Sequence, residues 1–507
     1  MLSLSNVVAT DLGAFAKVSS GVDVLVVGSG TAGVTTAIEL ARAGLSVVIL
    51  EAGPFIMASH VGSTPFRSRG DLTPRIHNLV RYRTAWLSRD RYQPGVVPPL
   101  QNDAWSVVGG RTLFWGGCTP RFSPWNFDDW PFDYDSFEPY YRRAEQLMHV
   151  SGIANRPAFF RGKAQDHLLN ALAEGGFGAS HARLGVDTGE ALNGYMPRGF
   201  DSAADRLLRS GLLVSEPQRG GITLVPEAIV EKIEHNGSEV TGLTVSDTEG
   251  NRRFDFTAQH YVLAGGAVQS SRLSLSSGLR ALSPNVGQYV ADHLFVQGLF
   301  RLRKPLDGPI YVFVDPTLER PFHLQIQGPF EETWYTPYHA TVWLDCDPAG
   351  LYLLVYCFGV GSSLAENEVV LTRLQSDGPR GMGSYCVLND RSDTDLRTLQ
   401  AMRDCLPAIA ESIGADLVRS QINPPGSALH EIGGLVMSAE PGERVTDPYG
   451  RFWKLPNLSV ADSAAWPSQG SANSYLTITA WSLRHAEGVL QRLGVGAAGR
   501  NTLQPVS

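Results

Sequence analysis

The chain has little cysteine, no excess of positive charge and no long apolar run. Only five of its 507 residues are cysteine, scattered at positions 118, 346, 357, 386 and 405 without a CxxC spacing. This odd, scattered set argues against a disulfide framework or a metal site and predicts reduced thiols in a cytoplasm. The net charge of −8 indicates no basic surface for nucleic acid or anionic lipid.

The apolar stretches are also too short to span a membrane. The first 21 residues show no basic region ahead of an apolar stretch and no cleavage-like site, so we expect no signal peptide. An apolar fraction of 43% and a charged fraction of 18% are ordinary for a soluble globular protein. The length predicts two domains, or three.

The most informative motif lies in residues 23–51. A β-branched apolar run leads into Gly28, Gly30 and Gly33, an amphipathic helix pattern follows, and a second apolar strand stops at Glu51. The three glycines would allow a tight turn, an approach of the backbone to a pyrophosphate, and close helix–strand packing, in that order. The helix N-terminus would face the phosphates, and Glu51 could accept hydrogen bonds from a ribose. The spacing predicts a dinucleotide site.

Strand patterns resume at about residue 222, which predicts a discontinuous nucleotide-binding domain. Asn236-Gly237 is a hairpin signal between two strands. A buried strand, Tyr261 to Ala264, precedes a glycine pair and a helix from Ser270. Residues 53–106, rich in arginine, proline and aromatics, are predicted to form loops and short helices that cover a site.

Between residues 300 and 395 the pattern changes to alternation. His323, Gln325 and Gln327 alternate with apolar residues, as in a strand with one polar face. The expected neighbouring strands are Ile310–Val314, Ala340–Leu344, Leu351–Phe358 and Val369–Thr372. An inserted, mainly antiparallel sheet could form a substrate-binding roof, while a solvated outer face explains the pattern equally well. A helix near 396–413, a strand Leu458–Ala461 and a final helix from about Tyr475 to Leu493 complete the prediction.

Together these features resemble the glucose–methanol–choline (GMC) family of flavoprotein oxidoreductases, and within it the pyranose (sugar) oxidase-like branch. Residues 108–122, 262–270, 285–293 and 429–479 match the family in order. The resemblance implies FAD rather than a nicotinamide cofactor. It also implies an α/β fold, with a Rossmann-like FAD domain (21–300 and 425–495), an inserted α+β substrate domain built on a mainly antiparallel sheet (301–424), and tails at 1–20 and 496–507.

The resemblance assigns cofactor contacts to short segments across the chain. It places Gly109 and Gly110 in a loop close to the flavin and Asp462 by the ribityl–phosphate region. The full expected set is Gly28, Gly30, Thr31, Ala32, Gly33, Glu51, Ala52, Gly109, Gly110, Thr112, Trp115, Gly116, Gly117, Cys118, Ile229, Ala264, Gly265, Asp462, Asn473 and Ser474. No metal is expected.

The resemblance also implies a catalytic pair, His430 and Asn473. A neutral imidazole, with an ordinary pKa of about 6.5, can take the hydroxyl proton of an alcohol near neutral pH. An amide can orient that hydroxyl and stabilise the developing alkoxide, and the helix that follows could favour an anionic reduced flavin. The alternatives are a satisfied core histidine and a simple helix cap.

Some residues depart from the family pattern. Sugar-oxidase relatives often link the flavin to a histidine where this chain has Phe114, so FAD is expected to be non-covalent. The family's usual Thr, Gly and Pro near the catalytic residues are replaced by Gly434, Ser438 and Ser474. These differences affect the expected substrate more than the expected reaction class.

The predicted protein is therefore a cytoplasmic FAD-dependent oxidoreductase. It would oxidise an alcohol of a sugar, glycoside or similar polyol to a carbonyl, with Gln325 and His323 as candidate substrate contacts and oxygen or another electron acceptor as oxidant. A second hypothesis is the tailoring of an aminoglycoside or another secondary metabolite. The third is a degenerate relative that only binds FAD; the presence of both His430 and Asn473 argues against it.

Overall fold

The computed structural model describes residues 12, 21–61, 79–94, 96, 102–188, 199–248, 250, 252–329, 351–372 and 384–495. The strands of these residues are β1 Val22–Val27, β2 Val47–Leu50, β3 Arg81–Thr84, β4 Trp86–Leu87, β5 Asn102–Trp105, β6 Val150–Ser151, β7 Ala179–His181, β8 Leu184–Gly185, β9 Ile222–Val225, β10 Ala228–His235, β11 Val240–Asp247, β12 Arg253–Phe256, β13 Ala258–Leu263, β14 Leu294–Leu302, β15 Ile310–Val314, β16 Phe322–Gly328, β17 Tyr352–Gly359, β18 Glu368–Thr372, β19 Ser384–Leu388, β20 Ala415–Ile422 and β21 Leu458–Val460. The α-helices are α1 Thr31–Arg42, α2 Tyr134–Leu147, α3 Lys163–Glu174, α4 Ala203–Arg209, α5 Ala267–Ser276, α6 Asp393–Asp404, α7 Leu406–Ser412 and α8 Tyr475–Arg492.

A five-stranded parallel sheet has the strand order β21-β13-β1-β2-β9. It is the middle layer of the first part of the fold. Its strands are buried on both faces, which explains their continuous apolar sequences. Val24 and Val26 face helices α1 and α8, whereas Leu25 faces the antiparallel sheet β10-β11-β12. The nucleotide-binding unit is thus assembled from distant parts of the chain, as the discontinuous pattern predicts.

A second, six-stranded sheet has the order β20-β14-β17-β16-β15-β7 and is antiparallel throughout. One face packs on helices α3, α6 and α7 through residues such as Leu324 and Val355. The opposite face carries His323, Gln325 and Gln327, which are 0%, 2% and 7% exposed. The solvated outer face considered as an alternative is therefore wrong at these positions, because the polar side chains point into the protein.

The other predicted elements agree with the structure to different degrees. The hairpin at Asn236-Gly237 is confirmed by the pairing of β10 with β11. Val369–Thr372 is a strand, but it pairs with β19 in a separate sheet rather than with the Phe322 strand. The helix expected near 396–413 is two helices, α6 and α7, and the strand expected at Ala340–Leu344 lies outside the described residues. Alternation alone does not say which sheet a strand joins.

The segment 53–106 agrees with its prediction in part. Its described part contains one short 3-10 helix, Arg89–Arg91, together with the short strands β3, β4 and β5, which were not predicted. Tyr82, Thr84, Ala104 and Trp105 line the main cavity, and the covering role stays a prediction. Within the part of the chain that the structure describes, no helix is long and apolar enough to cross a membrane.

The glycine motif has the close packing that its spacing predicts. Gly28 has a φ of 107°, and a Cβ there would lie 2.5 Å from the carbonyl oxygen of Ala264. A Cβ on Gly33 would lie 2.0 Å from the Gly28 carbonyl oxygen. Gly30 differs, since a Cβ there would meet nothing within 4 Å and would point into the cavity.

Gly33→Ala should consequently destabilise the protein, because the helix must move away from the first strand. Overpacking of this kind costs about 1–3 kcal/mol, which thermal unfolding should show as a midpoint several degrees lower. The matched control is Gly178→Ala, since a Cβ on Gly178 meets nothing within 4 Å. Equal unfolding midpoints for the two variants would contradict the packing argument.

Candidate active site

The main cavity opens at the carboxyl ends of four parallel strands. Gly28 follows β1, Glu51 follows β2, Ala264 follows β13 and Asp462 lies two residues after β21. Ligands of open parallel sheets bind at this edge. The predicted cofactor residues that line the cavity are Gly28, Gly30, Thr31, Ala32, Glu51, Ala52, Gly110, Ile229, Ala264, Gly265, Asp462 and Ser474.

Glu51 is held at the cavity by donors from two neighbouring turns. One carboxylate oxygen accepts from the backbone N–H and the hydroxyl of Ser29, at 2.9 and 2.6 Å, and the other accepts from the Gly53 N–H at 2.9 Å. Burial raises the pKa of Glu51 despite these bonds. The carboxyl group is therefore fixed in direction, with acceptor capacity left for a ligand.

Asp462 occupies the opposite wall. Its carboxylate accepts from the Gly266 N–H at 2.8 Å and the Ser270 hydroxyl at 2.6 Å, and from the Ala464 N–H at 2.8 Å. Burial raises its pKa to about 6. These bonds join the start of α5 to the segment after β21, so Asp462 fixes the shape of this wall.

Eight predicted cofactor residues do not belong to the described lining of this cavity: Gly33, Gly109, Thr112, Trp115, Gly116, Gly117, Cys118 and Asn473. Gly33 and Thr112 shape the backbone; the Thr112 hydroxyl accepts from the Ala203 N–H at 2.9 Å. The Trp115 ring lies 4.8 Å from that of Tyr475, centroid to centroid. A direct cofactor contact by any of these eight stays a prediction.

The structure brings His430 and Asn473 together. The Asn473 amide nitrogen lies 3.4 Å from His430 Nε2. Ser474 is the N-cap of α8, and the Asn473 side chain contacts Gln325 and His430, so a simple cap role is wrong. His430 Nδ1 has no hydrogen-bond partner among the described residues, which argues against a satisfied core histidine.

Two charged side chains hold the backbone around His430. Asp292 accepts from the N–H groups of Ala428 and His430 at 3.0 and 2.9 Å. Arg111 donates to the Leu429 carbonyl at 2.6 Å and forms a bidentate pair with Glu431, at 2.5 and 2.7 Å. Leu429 has a φ of 62°, the left-handed region that non-glycine residues seldom adopt. Together these contacts fix the backbone on both sides of His430 and so fix the position of its side chain.

Sequence reasoning missed Arg111, Asp292, His293 and Glu431 as site residues, although all four lie within the matched segments. Arg111 follows a glycine pair and Glu431 follows His430, and this adjacency was the available signal for these two; Asp292 and His293 have no such neighbour in the sequence. A second missed group lines the far wall of the cavity: Gln269 donates to the hydroxyls of Tyr82 and Tyr385, at 2.9 and 2.5 Å. No sequence motif points to that group.

The electrostatic surroundings keep His430 neutral. Burial lowers its pKa well below 6.5, and the nearby His293 and Arg111 lower the pKa further. The His293 ring lies 5.0 Å from the His430 ring, and burial lowers the pKa of His293 to about 4. A neutral imidazole that is 9% exposed can accept a proton from a ligand near neutral pH.

The antiparallel sheet covers this pair with its polar and aromatic face. The Gln325 amide nitrogen donates to the Asn473 side-chain oxygen, and the Phe358 ring lies 5.3 Å from His430. His323 is fully buried, and its ring lies 4.7 Å from Phe313 with an edge-on geometry. Gln325 therefore contacts the candidate catalytic pair, whereas His323, on the same face of the sheet, packs against Phe313. A substrate contact by either residue stays a prediction.

Comparison with known proteins identifies the family. The N-terminal domain of the GMC oxidoreductases matches residues 22–295, and their C-terminal domain matches residues 391–482. Paromamine 6'-oxidase of Streptomyces fradiae is 27% identical over 92% of this chain and 91% of its own length. The C-glycoside 3-oxidase of Microbacterium trichothecenolyticum is 25% identical over 93% and 97%. The 2-methyl-1,2-propanediol dehydrogenase of Mycolicibacterium austroafricanum is 24% identical over 93% and 95%.

Solved structures agree with the fold. A formate oxidase variant of Aspergillus oryzae superposes with a TM-score of 0.71 at 18% identity, over 93% of this chain and 98% of the other. At this identity the likeness concerns the fold alone, which is a Rossmann-like FAD domain with a second, sheet-based domain. The two domain matches together cover well over half of the chain, and the chain therefore belongs to the GMC oxidoreductases, a family of FAD-dependent enzymes.

Proposed function

We propose that this enzyme oxidises an alcohol carbon of a sugar, glycoside or similar polyol to a carbonyl. The observation that carries the proposal is the 3.4 Å approach of the Asn473 amide nitrogen to His430 Nε2, beneath a polar and aromatic sheet face. An alcohol oxygen within reach of both nitrogens would accept from the amide and donate its proton to the imidazole. The contact between the two nitrogens is long for a hydrogen bond, so a substrate hydroxyl can replace it, and catalytic hydrogen bonds are often formed fully only with the substrate bound.

The cavity fits FAD on its own geometry. The open space above Gly30 and the start of α1, which no side chain caps, suit a pyrophosphate. Glu51 would bind the adenosine ribose, and Asp462 would fix the wall by the ribityl chain. When bound, FAD supplies the acceptor for the hydride that leaves the alcohol carbon.

The chain's own residues would handle the proton. His430 is neutral near pH 7 because burial lowers its pKa, so its Nε2 lone pair can take the hydroxyl proton as the carbon is oxidised. Asn473 would hold the hydroxyl oxygen and stabilise the negative charge that develops there. Arg111 and Asp292 keep the loop in place and touch neither reacting atom.

The substrate class rests on the sheet face above the pair. Tyr311, Gln325 and Tyr356 present hydroxyl and amide groups on one face of three adjacent strands. Such a face suits a ligand with several hydroxyl groups. We propose residues 301–424 as the substrate-binding domain, extended by β14 from Leu294 and by the edge strand β7, because both belong to the same sheet.

The second proposed substrate class is an aminoglycoside or another secondary metabolite. The 27% identity to a paromamine oxidase favours it, and the net charge of −8 is compatible with a polycationic ligand. Oxygen or another small acceptor would reoxidise the flavin. The described cysteines 118, 357, 386 and 405 are free thiols, which is compatible with the proposed cytoplasmic location.

The function is tested by mixing the purified yellow protein, without oxygen, with a panel of sugars, glycosides, polyols and aminoglycosides. The flavin absorbance should bleach with a subset of the hydroxylated compounds, and product analysis should find a carbonyl at one carbon. Bleaching only by aminoglycosides would select the second class. Absence of bleaching by every alcohol would contradict the proposal.

FAD should be bound without a covalent link. Phe114 replaces the histidine that carries the flavin in sugar-oxidase relatives, and it is buried against Trp105 with ring centroids 6.2 Å apart. Acid precipitation should therefore release all yellow colour into the supernatant. Colour that stays in the protein pellet would show a covalent link at another residue.

Glu51→Ala should give a folded protein that retains little FAD. A lost hydrogen bond to a charged group costs about 1.5–3 kcal/mol, or roughly 10- to 150-fold in affinity. Titration of the flavin-free protein with FAD measures the change. Glu216→Ala, at an exposed carboxylate, controls for the altered net charge, and equal affinities of the two variants would overturn the assignment.

His430→Ala should slow flavin reduction by about 10²- to 10⁴-fold, the usual contribution of a general base, while FAD stays bound. Asn473→Ala should slow flavin reduction by a smaller factor, and the double variant should not show the sum of both losses.

The pH dependence gives a separate prediction. Because the pKa of His430 lies well below 6.5, the unprotonated base is already present at pH 6.5, so the wild-type rate of flavin reduction should be flat above that pH and fall below the lowered pKa. Stopped-flow absorbance measures all these rates. Wild-type reduction by His430→Ala would refute the mechanism.

A further inference from the structure

A chain of hydrogen bonds connects the antiparallel sheet to His430. The Tyr311 hydroxyl lies 3.0 Å from the Gln325 side-chain oxygen and 2.8 Å from Cys118 Sγ, and that sulfur lies 3.5 Å from the same oxygen. The Gln325 amide nitrogen donates to the Asn473 oxygen, and the Asn473 amide nitrogen faces His430 Nε2 at 3.4 Å. Tyr311 and Cys118 thus both contact Gln325, Gln325 contacts Asn473, and Asn473 contacts His430. We call these five side chains the series.

The donor-to-acceptor direction of these hydrogen bonds runs from Tyr311 toward His430. Burial raises the pKa of the Cys118 thiol to about 12, so the thiol carries a proton, and the Tyr311 hydroxyl donates to the Gln325 oxygen. A thiol sulfur is a weak acceptor, so of these two described partners the Gln325 oxygen is the stronger acceptor for the Tyr311 proton. With its oxygen held on this side, Gln325 must present its N–H to Asn473.

The same logic continues through Asn473. Its oxygen accepts from Gln325, so its N–H group must face His430. Among the described residues His430 Nδ1 has no hydrogen-bond partner, which leaves the bond at Nε2 to decide where the proton of the neutral ring sits. An N–H donor opposite Nε2 favours the form in which Nε2 is unprotonated.

We infer that Tyr311 and Gln325 are positioning residues that set the direction of the Asn473 amide and thereby keep Nε2 of His430 unprotonated. The inference rests on the proposed function, since an unprotonated Nε2 is the form that can accept the alcohol proton. With the opposite direction, Asn473 would present its oxygen and His430 an N–H, and neither could take the proton of a hydroxyl between them.

The decisive variant is Gln325→Glu, which keeps the shape of the side chain but cannot donate once ionised. Asn473 would then turn its N–H toward the carboxylate and its oxygen toward His430. Gln327→Glu is the matched control: Gln327 lies on the same strand face and is also buried, but no bond between it and Asn473 occurs among the described contacts. The charged or titratable neighbours of His430, namely Arg111, Asp292, His293 and Glu431, are unchanged in both variants.

The first measurement is the nitrogen NMR spectrum of ¹⁵N-histidine-labelled holoenzyme, with the His430 signals assigned by their loss in His430→Ala. We expect an unprotonated Nε2 in the wild type and in Gln327→Glu, and a protonated Nε2 in Gln325→Glu at pH values where the new carboxyl group is ionised. An unprotonated Nε2 in Gln325→Glu at those pH values would overturn the inference. This readout needs no substrate, so it succeeds or fails independently of the proposed reaction.

The second measurement is flavin reduction by the panel alcohol that reduces the wild type fastest. Gln325→Glu should be slower by up to about 10²–10³-fold, the loss expected when an oxyanion donor is removed. Its rate should fall as pH rises, opposite to the wild type, and the loss should disappear in the Asn473→Ala background. A rate equal to that of Gln327→Glu would overturn the inference.

Tyr311→Phe offers an independent check should Gln325→Glu bind no FAD. It removes the nearer of the two donors and leaves only the Cys118 thiol, 3.5 Å from the Gln325 oxygen, so the preference for one direction should weaken and a mixture of the two His430 forms should appear in the NMR spectrum. Cys118→Ser retains both donors to Gln325, so its NMR spectrum should show the unprotonated Nε2 form alone. A single, unprotonated Nε2 form in Tyr311→Phe would show that the hydroxyl does not set the direction.

Discussion

The geometry of the site depends on the loop that carries His430. His430 lies in the irregular segment between β20 and β21, and the backbone there is held by Asp292, which accepts two of its N–H groups, and by Arg111, which donates to one of its carbonyls. The left-handed conformation of Leu429 between them costs of order 1–3 kcal/mol, which these charged hydrogen bonds offset. A side chain placed this way keeps its position although it belongs to no helix or strand.

Arg111 and Asp292 also contribute to the electrostatics of the loop that carries His430. Arg111 is a partly buried cation, with 26% of its side chain exposed. Its charge is balanced by the bidentate pair with Glu431, and its remaining field lowers the pKa of His430. Burial and the neighbouring Glu431 raise the pKa of Asp292 to about 7, since the ionised form is costly in this surrounding. Arg111, which helps to fix the backbone, therefore also favours a neutral imidazole.

The sequence predicts the nucleotide half of the fold well, because its rules are local. Gly28 and Gly33 lie where a side chain would collide with the backbone, and Glu51 ends the second strand at the cavity. The substrate half follows less local rules. The alternation around Gln325 correctly indicates a strand, but an inward polar face and an outward one share the same period, so burial of the polar side needs the rest of the fold.

The pairing partners of that strand show the same limit. Val369–Thr372 has the composition of a sheet neighbour and joins another sheet, while β14, which begins directly after the matched segment 285–293, pairs with β17 and β20 in the six-stranded sheet. Likewise Arg111, Asp292 and Tyr311 carry no motif of their own. Their importance comes from contacts with Leu429, Ala428 and Cys118, respectively, each more than a hundred residues away in the chain, which sequence spacing does not encode.

The junction between the two halves has a consequence for how such an enzyme can change its substrate. His430 and Asn473 come from the C-terminal segment, but the amide that touches Asn473 comes from a strand of the substrate sheet. A sheet residue could therefore alter the proposed catalytic pair through one hydrogen bond, whereas positions farther along the same face, such as Gln327, could change without breaking the series. Under the proposed function, substrate preference and proton transfer would be coupled at Gln325 and could be altered separately elsewhere on the sheet.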